Sequence, residues 1–241
     1  MPRLARNCAV PRRRGGPPLA ACAKRLLDCG VLVRTPVPFA VLASGSGSNF
    51  EALVHASRAP GFPGSIELLA CDSPGAPALE RAHRLGIAAV ALPAGRFRTR
   101  LEDERPWIEA LAARAIGGVL LAGFMRRLHA PLLEAFPQRI LNIHPSLLPA
   151  FPGLDAIDRA LAHGVRITGC TVHVVSDDLD GGSIVGQAAV EVRDDDTRES
   201  LTERLHAAEH VLYPECVRRF FGGPHRVSGR RLVFPEEIPH G

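Results

Sequence analysis

The chain has 241 residues and a mass of 25.8 kDa, with 46% hydrophobic residues, 22% charged residues and a net charge of +4. These proportions exclude a wholly disordered chain and supply core enough for one large domain or two small ones. No apolar run reaches the roughly 18 residues a spanning helix needs, and aromatics at 5% offer little for base stacking.

The charge is unevenly placed. Residues 1–38 carry eight basic residues against the single acid Asp28, while the remainder holds 21 basic and 24 acidic residues. The basic isoelectric point therefore belongs to the N-terminal segment, and a nucleic-acid-binding body is disfavoured. That segment is rich in proline (Pro2, Pro11, Pro17, Pro18, Pro36, Pro38) and contains Arg12-Arg13-Arg14-Gly15-Gly16. It has neither the long apolar core of a secretory signal nor the serines of a transit peptide. It is expected to be a disordered tail or a start assigned too far upstream. The cysteines split between the extension (Cys8, Cys22, Cys29) and the body (Cys71, Cys170, Cys216) with no CxxC spacing. Reduced thiols in a cytoplasmic protein are expected.

From residue 39 the chain alternates strand and helix signals. Residues 39–43 form an apolar run that ends at Ser44-Gly45-Ser46-Gly47-Ser48, and a helix is expected from Asn49 to about Ser57. Strands follow at 66–70, 88–92, 118–122 and 140–143. Helices are expected at 78–85 behind Pro77, at 101–115 around Pro106, and at 131–136. This alternation predicts βαβ units in an α/β fold, an open and mostly parallel twisted sheet with helices on both faces. Beyond residue 150 two strand candidates, 169–175 and 183–192, flank the acidic turn Asp177-Asp178-Leu179-Asp180-Gly181-Gly182, which predicts antiparallel strands in the C-terminal half. Thr197 is an N-cap for a long helix to about Phe220, and 226–234 reads as a terminal hairpin around Ser228-Gly229. The expected organisation is an extension (1–38), a body (39–223) and a C-terminal hairpin or tail (224–241).

Several segments carry chemistry. The small residues of the 44–49 loop let backbone N–H groups approach an anion, and the following helix N-terminus adds positive potential. Phe50 replaces the third glycine of a dinucleotide fingerprint, and no Gly-Lys-Ser/Thr follows for a nucleotide P-loop. In Leu141-Asn142-Ile143-His144-Pro145, Asn142 and His144 are two apart at a strand's carboxyl end and leave the same face. An amide beside an imidazole holds and polarises a carbonyl oxygen. Asp180 is a candidate carboxylate partner for a histidine. His206-Ala207-Ala208-Glu209-His210 matches an inverted zinc-peptidase pattern, but only 31 residues follow His210 to supply a third ligand, and no metal is expected. Arg100, Arg126 and Arg127 are available to acidic groups.

In combination these segments resemble the folate-dependent glycinamide ribonucleotide formyltransferase family over roughly residues 39–223. The resemblance rests on the 44–49 loop, Leu121-Ala122-Gly123-Phe124-Met125-Arg126, residues 140–149, Phe151-Pro152-Gly153, Leu179-Asp180-Gly181-Gly182 and Glu209-His210-Val211-Leu212-Tyr213-Pro214. It implies a Rossmann-type N-terminal half and transfer of formyl from 10-formyltetrahydrofolate, a co-substrate, to the ribotide amine in purine synthesis, without a metal. It further implies Asn142, His144 and Asp180 as the catalytic trio, with Gly47, Ser48, Asn49 and Glu209 on the ribotide. Arg100, Met125, Arg126, Leu128 and Asp178 would lie on the folate side. Small-molecule substrates, no nucleic acid or membrane partner, and a cytoplasmic monomer or homodimer go with it. Three positions depart from the family pattern: Asp155 and Ile157 stand where histidines are common, and Asp72 where asparagine is usual. Two related outcomes compete, a formyltetrahydrofolate hydrolase and a ribotide- or folate-binding module without turnover.

Overall fold

Strand β1 (Val37–Ala43) explains the architecture in miniature. Its alternate side chains enter two cores: Phe39, Val41 and Ala43 on one face of the sheet, Ala40 and Leu42 on the other. A strand buried on both faces must have helices above and below it. The computed structural model describes residues 36–228 and 231–235, so most of the 1–38 extension and the Gly229 turn lie outside the described residues.

In chain order β1 is followed by α1 (Ser48–Ser57), β2 (Gly64–Cys71), α2 (Pro77–Leu85), β3 (Ala88–Ala91), α3 (Arg105–Ala112), β4 (Gly118–Leu121), α4 (Ala130–Ala135) and β5 (Ile140–His144). Then come α5 (Ala156–Ala162), β6 (Ile167–Val174), β7 (Ile184–Glu191), α6 (Arg198–Gly222), β8 (Arg226–Ser228) and β9 (Arg231–Val233). The sheet order is β3-β2-β1-β4-β5-β6-β7-β9-β8. Pairing is parallel from β3 through β5 and antiparallel for β5 with β6 and β6 with β7. Helices α1, α2 and α6 feed one core through Phe50, Leu53, Ala78, Ala82, Tyr213 and Val217, and α3 and α4 feed the other through Trp107, Leu111 and Leu132. The order in which strands are added reverses between the parallel neighbours β1 and β4, and the loops that leave these strands are joined: Ser44 N donates to Gly123 O at 3.0 Å, and Met125 N donates to Ser44 Oγ at 2.9 Å. Ligands of open α/β sheets bind at such a switch point.

One local expectation is corrected, and one helix goes unanticipated in the sequence. The helix expected over 101–115 spans only Arg105–Ala112. Glu104 is spent elsewhere, its buried carboxylate accepting from His129 N at 2.6 Å and Leu132 N at 2.9 Å to cap α4. At the other end Ala115 turns left-handed at φ 51° and Ile116 N returns to Leu111 O at 3.1 Å, which closes the helix. Helix α5 had no periodic signal in the sequence, because only Ala156 and Ala160 are buried along it. The terminal hairpin is present as the antiparallel pair β8 and β9, and β9 joins β7 through Ile184 and Arg231. The cap at Thr197 is present as expected: Ser200 N donates to Thr197 Oγ1 and Thr197 N donates to Ser200 Oγ.

Candidate active site

The 44–49 loop ends in a turn that only glycine enters easily. Gly47 caps α1 at φ 76°, and a Cβ there would come within 2.7 Å of Ala78 Cβ. The loop is held by α2, with Ala78 N donating to Gly45 O at 3.2 Å and Arg81 Nε donating to Ser46 O at 2.7 Å. The substitution Gly47→Ala is therefore expected to cost about 1–3 kcal/mol in urea unfolding, from backbone strain and the clash together. The first-turn N–H groups of α1 have no intrahelical acceptors and present a positive end at the sheet's carboxyl edge.

Beside this turn Asn49 Nδ2 donates to Glu209 Oε2 at 2.6 Å, across from α1 to α6. Both side chains are buried, and Asn49 Oδ1 has no partner among the described residues. A buried amide oxygen left without a donor is an acceptor for a ligand. Burial pushes the Glu209 carboxyl up to about 7, and the Asn49 hydrogen bond offsets only part of that.

The antiparallel β5–β6 pairing builds the second half of the site. Asn142 lies opposite His173, and Asn142 Nδ2 is 3.1 Å from His173 Nε2. His173 Nδ1 is 3.1 Å from the Val174 carbonyl, so this nitrogen carries the hydrogen and Nε2 accepts from the amide. His144 Nε2 donates to Phe151 O at 2.9 Å, which leaves Nδ1 free for chemistry. Asp180 lies between the two rings, with Oδ2 3.6 Å from His144 Nδ1 and Oδ1 3.6 Å from His173 Nε2. Gly153 N donates to Asp180 Oδ2 at 2.7 Å and holds this carboxylate on a backbone at φ 50°, a strained conformation for a residue with a side chain.

Electrostatics separates the two groups. Burial lowers the pKa of His144, against the opposing pull of the Asp180 charge, so the imidazole is neutral at neutral pH. Burial raises Asp180, but the His173 and His144 rings, charged in acid, and the Gly153 N–H outweigh it and hold the carboxyl down to about 2. Asn142, His144 and Asp180 thus come together as the sequence suggested. His173 was missed, and only the strand register, which puts it opposite Asn142, reveals it.

The remaining candidates gather from three segments. Arg127 N donates to Thr99 O at 2.8 Å and Arg127 Nη2 to Asp177 O, which ties 99–100, 125–128 and the acidic turn into one wall. Arg100 lies over the Phe97 ring at 4.0 Å, Met125 is exposed, and the Leu128 side chain is buried in the core, which leaves its backbone to line the wall. Asp178 is exposed on the turn. Arg126 is largely committed: Nε donates to Asp72 Oδ2 at 2.6 Å and Nη1 donates to Phe97 O. Asp72 is nearly buried, and Arg126 is 18% exposed. Asp72→Ala is expected to destabilise the protein by about 2 kcal/mol in urea, below the roughly 3–5 kcal/mol of a fully buried pair.

His206 and His210 stack nearly parallel with centroids 6.1 Å apart, and Glu209 between them points to Asn49. Among the described residues no three His, Cys, Asp or Glu side chains converge as a metal-ligand set. Cys71, Cys170 and Cys216 are free and buried, and burial pushes their thiols up to about 11, 12 and 12. No described helix is long and apolar enough to cross a membrane.

Residues 37–217 match the formyl transferase family. Phosphoribosylglycinamide formyltransferase of Bacillus subtilis is 41% identical over 76% of this chain and 94% of its own length. The protein of the same name in Escherichia coli is 39% identical over 76% of this chain and 86% of its own. The crystal structure of glycinamide ribonucleotide transformylase 1 from Symbiobacterium toebii superimposes with a TM-score of 0.79 at 43% identity, covering 85% of this chain and 96% of that one.

Proposed function

The chain belongs to the formyl transferase family, and on that premise we propose that it transfers formyl from 10-formyltetrahydrofolate to the amine of glycinamide ribonucleotide in purine synthesis. The observation that carries this reading is the convergence of Asn142, His144 and Asp180 beside the Asn49–Glu209 pair at the sheet's carboxyl edge.

The ribotide phosphate sits on the backbone of Gly47, Ser48 and Asn49 at the α1 N-terminus, where oriented N–H groups favour an anion. Glu209 faces the ribose side, and the unpartnered Asn49 Oδ1 accepts from the same ligand. The folate lies along the wall of Arg100, Met125, Arg126, Leu128 and Asp178.

The amine attacks the formyl carbon, and negative charge grows on the formyl oxygen. Asn142 has one amide hydrogen on His173 and a second to give that oxygen. His144 Nδ1 is the ring nitrogen left free, and it takes the proton shed by the attacking amine. The imidazolium so formed stabilises the oxyanion. Asp180 keeps its charge throughout, since a carboxyl near 2 is a poor base, and it stabilises the positive ring. The proton then passes to folate N10 as the C–N bond breaks, and the products are formylated ribotide and tetrahydrofolate.

A spectrophotometric assay of 10-formylfolate with and without ribotide tests the reading. Deformylation that requires ribotide supports transfer. Deformylation without it identifies a hydrolase, and binding without turnover identifies the inactive module; either result overturns the proposal.

A further inference from the structure

Tyr213 is fully buried on α6, yet its hydroxyl lies 3.0 Å from two backbone carbonyls, Leu121 O on β4 and Leu141 O on β5. Its single hydrogen points at one of them at a time. The position matters more than the count. Leu121 pairs with Asn142 in the β4–β5 register, and this is the last rung. The hydroxyl therefore sits at the fork where two strands part. One carbonyl belongs to the peptide that leads into Asn142, and the other precedes the loop to Met125. Tyr213 and Leu141 share one core while Ile140 packs in the other, so by strand alternation Tyr213 reaches the backbone from the face opposite the Asn142 side chain. Glu209 lies one turn earlier on the same helix and holds Asn49. One helix face thus touches both the ribotide turn and the floor beneath the amide.

We propose that Tyr213 is a positioning residue that fixes the peptide plane carrying Asn142 and so aims its amide at the formyl oxygen. The inference rests on the role given to Asn142 above. The phenol takes no part in proton transfer, since burial pushes its pKa well above the ordinary tyrosine value.

The test is a cycle of Tyr213→Phe, Asn142→Ala and the double variant, with kcat and both KM values measured. Tyr213→Phe keeps the ring and its packing, so the melting temperature should move little. The expected result is a kcat about tenfold lower with both KM values near wild type, since small misplacements in a catalytic array have large rate costs. In the Asn142→Ala background the same substitution should change kcat by less than about twofold, because the group it aims is gone. An unchanged kcat in Tyr213→Phe, or an equal loss in both backgrounds, overturns the inference and leaves the Asn142 role intact. Wild-type turnover in Asn142→Ala alone sinks that role, and the inference falls with it.

Discussion

His144→Ala and Asp180→Ala are each expected to lower kcat by about two decades or more while the fold survives, as proton transfer and oxyanion stabilisation are each worth roughly 10²–10⁴ and 10²–10³ in rate. The two losses should overlap, because Asp180 acts through the His144 ring 3.6 Å away. The double variant is therefore expected to lose little beyond the worse single one. Asp180→Asn separates charge from shape. It retains an acceptor for Gly153 N but cannot stabilise the imidazolium, so it should resemble Asp180→Ala in rate rather than the wild type. Burial lowers the His144 pKa below its ordinary 6.5, and the neutral ring is the form that takes the amine's proton. The acid limb of the kcat profile should accordingly lie below pH 6.5, with activity falling as the ring protonates. Steady-state rates near wild type in both alanine variants, with circular dichroism unchanged, would sink the mechanism.

Glu209 carries the second large effect, and it is one of stability. Its carboxyl titrates near 7 in the fold against 4.5 for an unhindered group. Below pH 4.5 both folded and unfolded chains hold the proton, and the shift costs nothing. As pH rises from 4.5 toward 7 the unfolded chain releases the proton while the folded chain keeps it, so stability falls. Above 7 the loss is complete, at about 3 kcal/mol. Glu209→Gln keeps an acceptor for Asn49 Nδ2 and removes the titration. Relative to wild type, the variant should gain about 2 kcal/mol in urea unfolding between pH 5 and pH 8. A parallel pair of pH curves would show that the carboxyl is not held near 7. The ribotide KM should rise in the same variant, since Glu209 has a second oxygen to accept a ribose hydroxyl, whereas the one oxygen of glutamine stays on Asn49 and its amide nitrogen only donates.

Much of this protein is legible in its residues taken one after another. The alternation of short apolar runs with helical stretches places the parallel strands, because a strand buried on both faces must be apolar throughout, as Gly118–Leu121 is. The cap at Thr197 and the glycine turn at 44–49 are local matters of backbone and side-chain chemistry, and local sequence specifies them. Asn142 and His144 are likewise visible as a pair, since the strand's period of two puts them on one face. Groups that meet across the chain are another matter. His173 stands 31 residues from Asn142 and is an ordinary strand histidine until the antiparallel register sets it opposite the amide. Glu104 falls within the helix expected over 101–115, but its carboxylate goes 28 residues onward to Leu132 N because α4 lacks a cap of its own. Asp72 reads as a lost asparagine until Arg126 is found on it, 54 residues away. The physical reason is common to all three. Hydrogen bonds and ion pairs in a dry interior act over about 3 Å and need a set direction, and only the packing of the sheet and its helices brings such distant groups within that range. The pKa values follow the same rule: Asp180 near 2 and Glu209 near 7 are both carboxyls, set apart by the neighbours that the fold delivers to each.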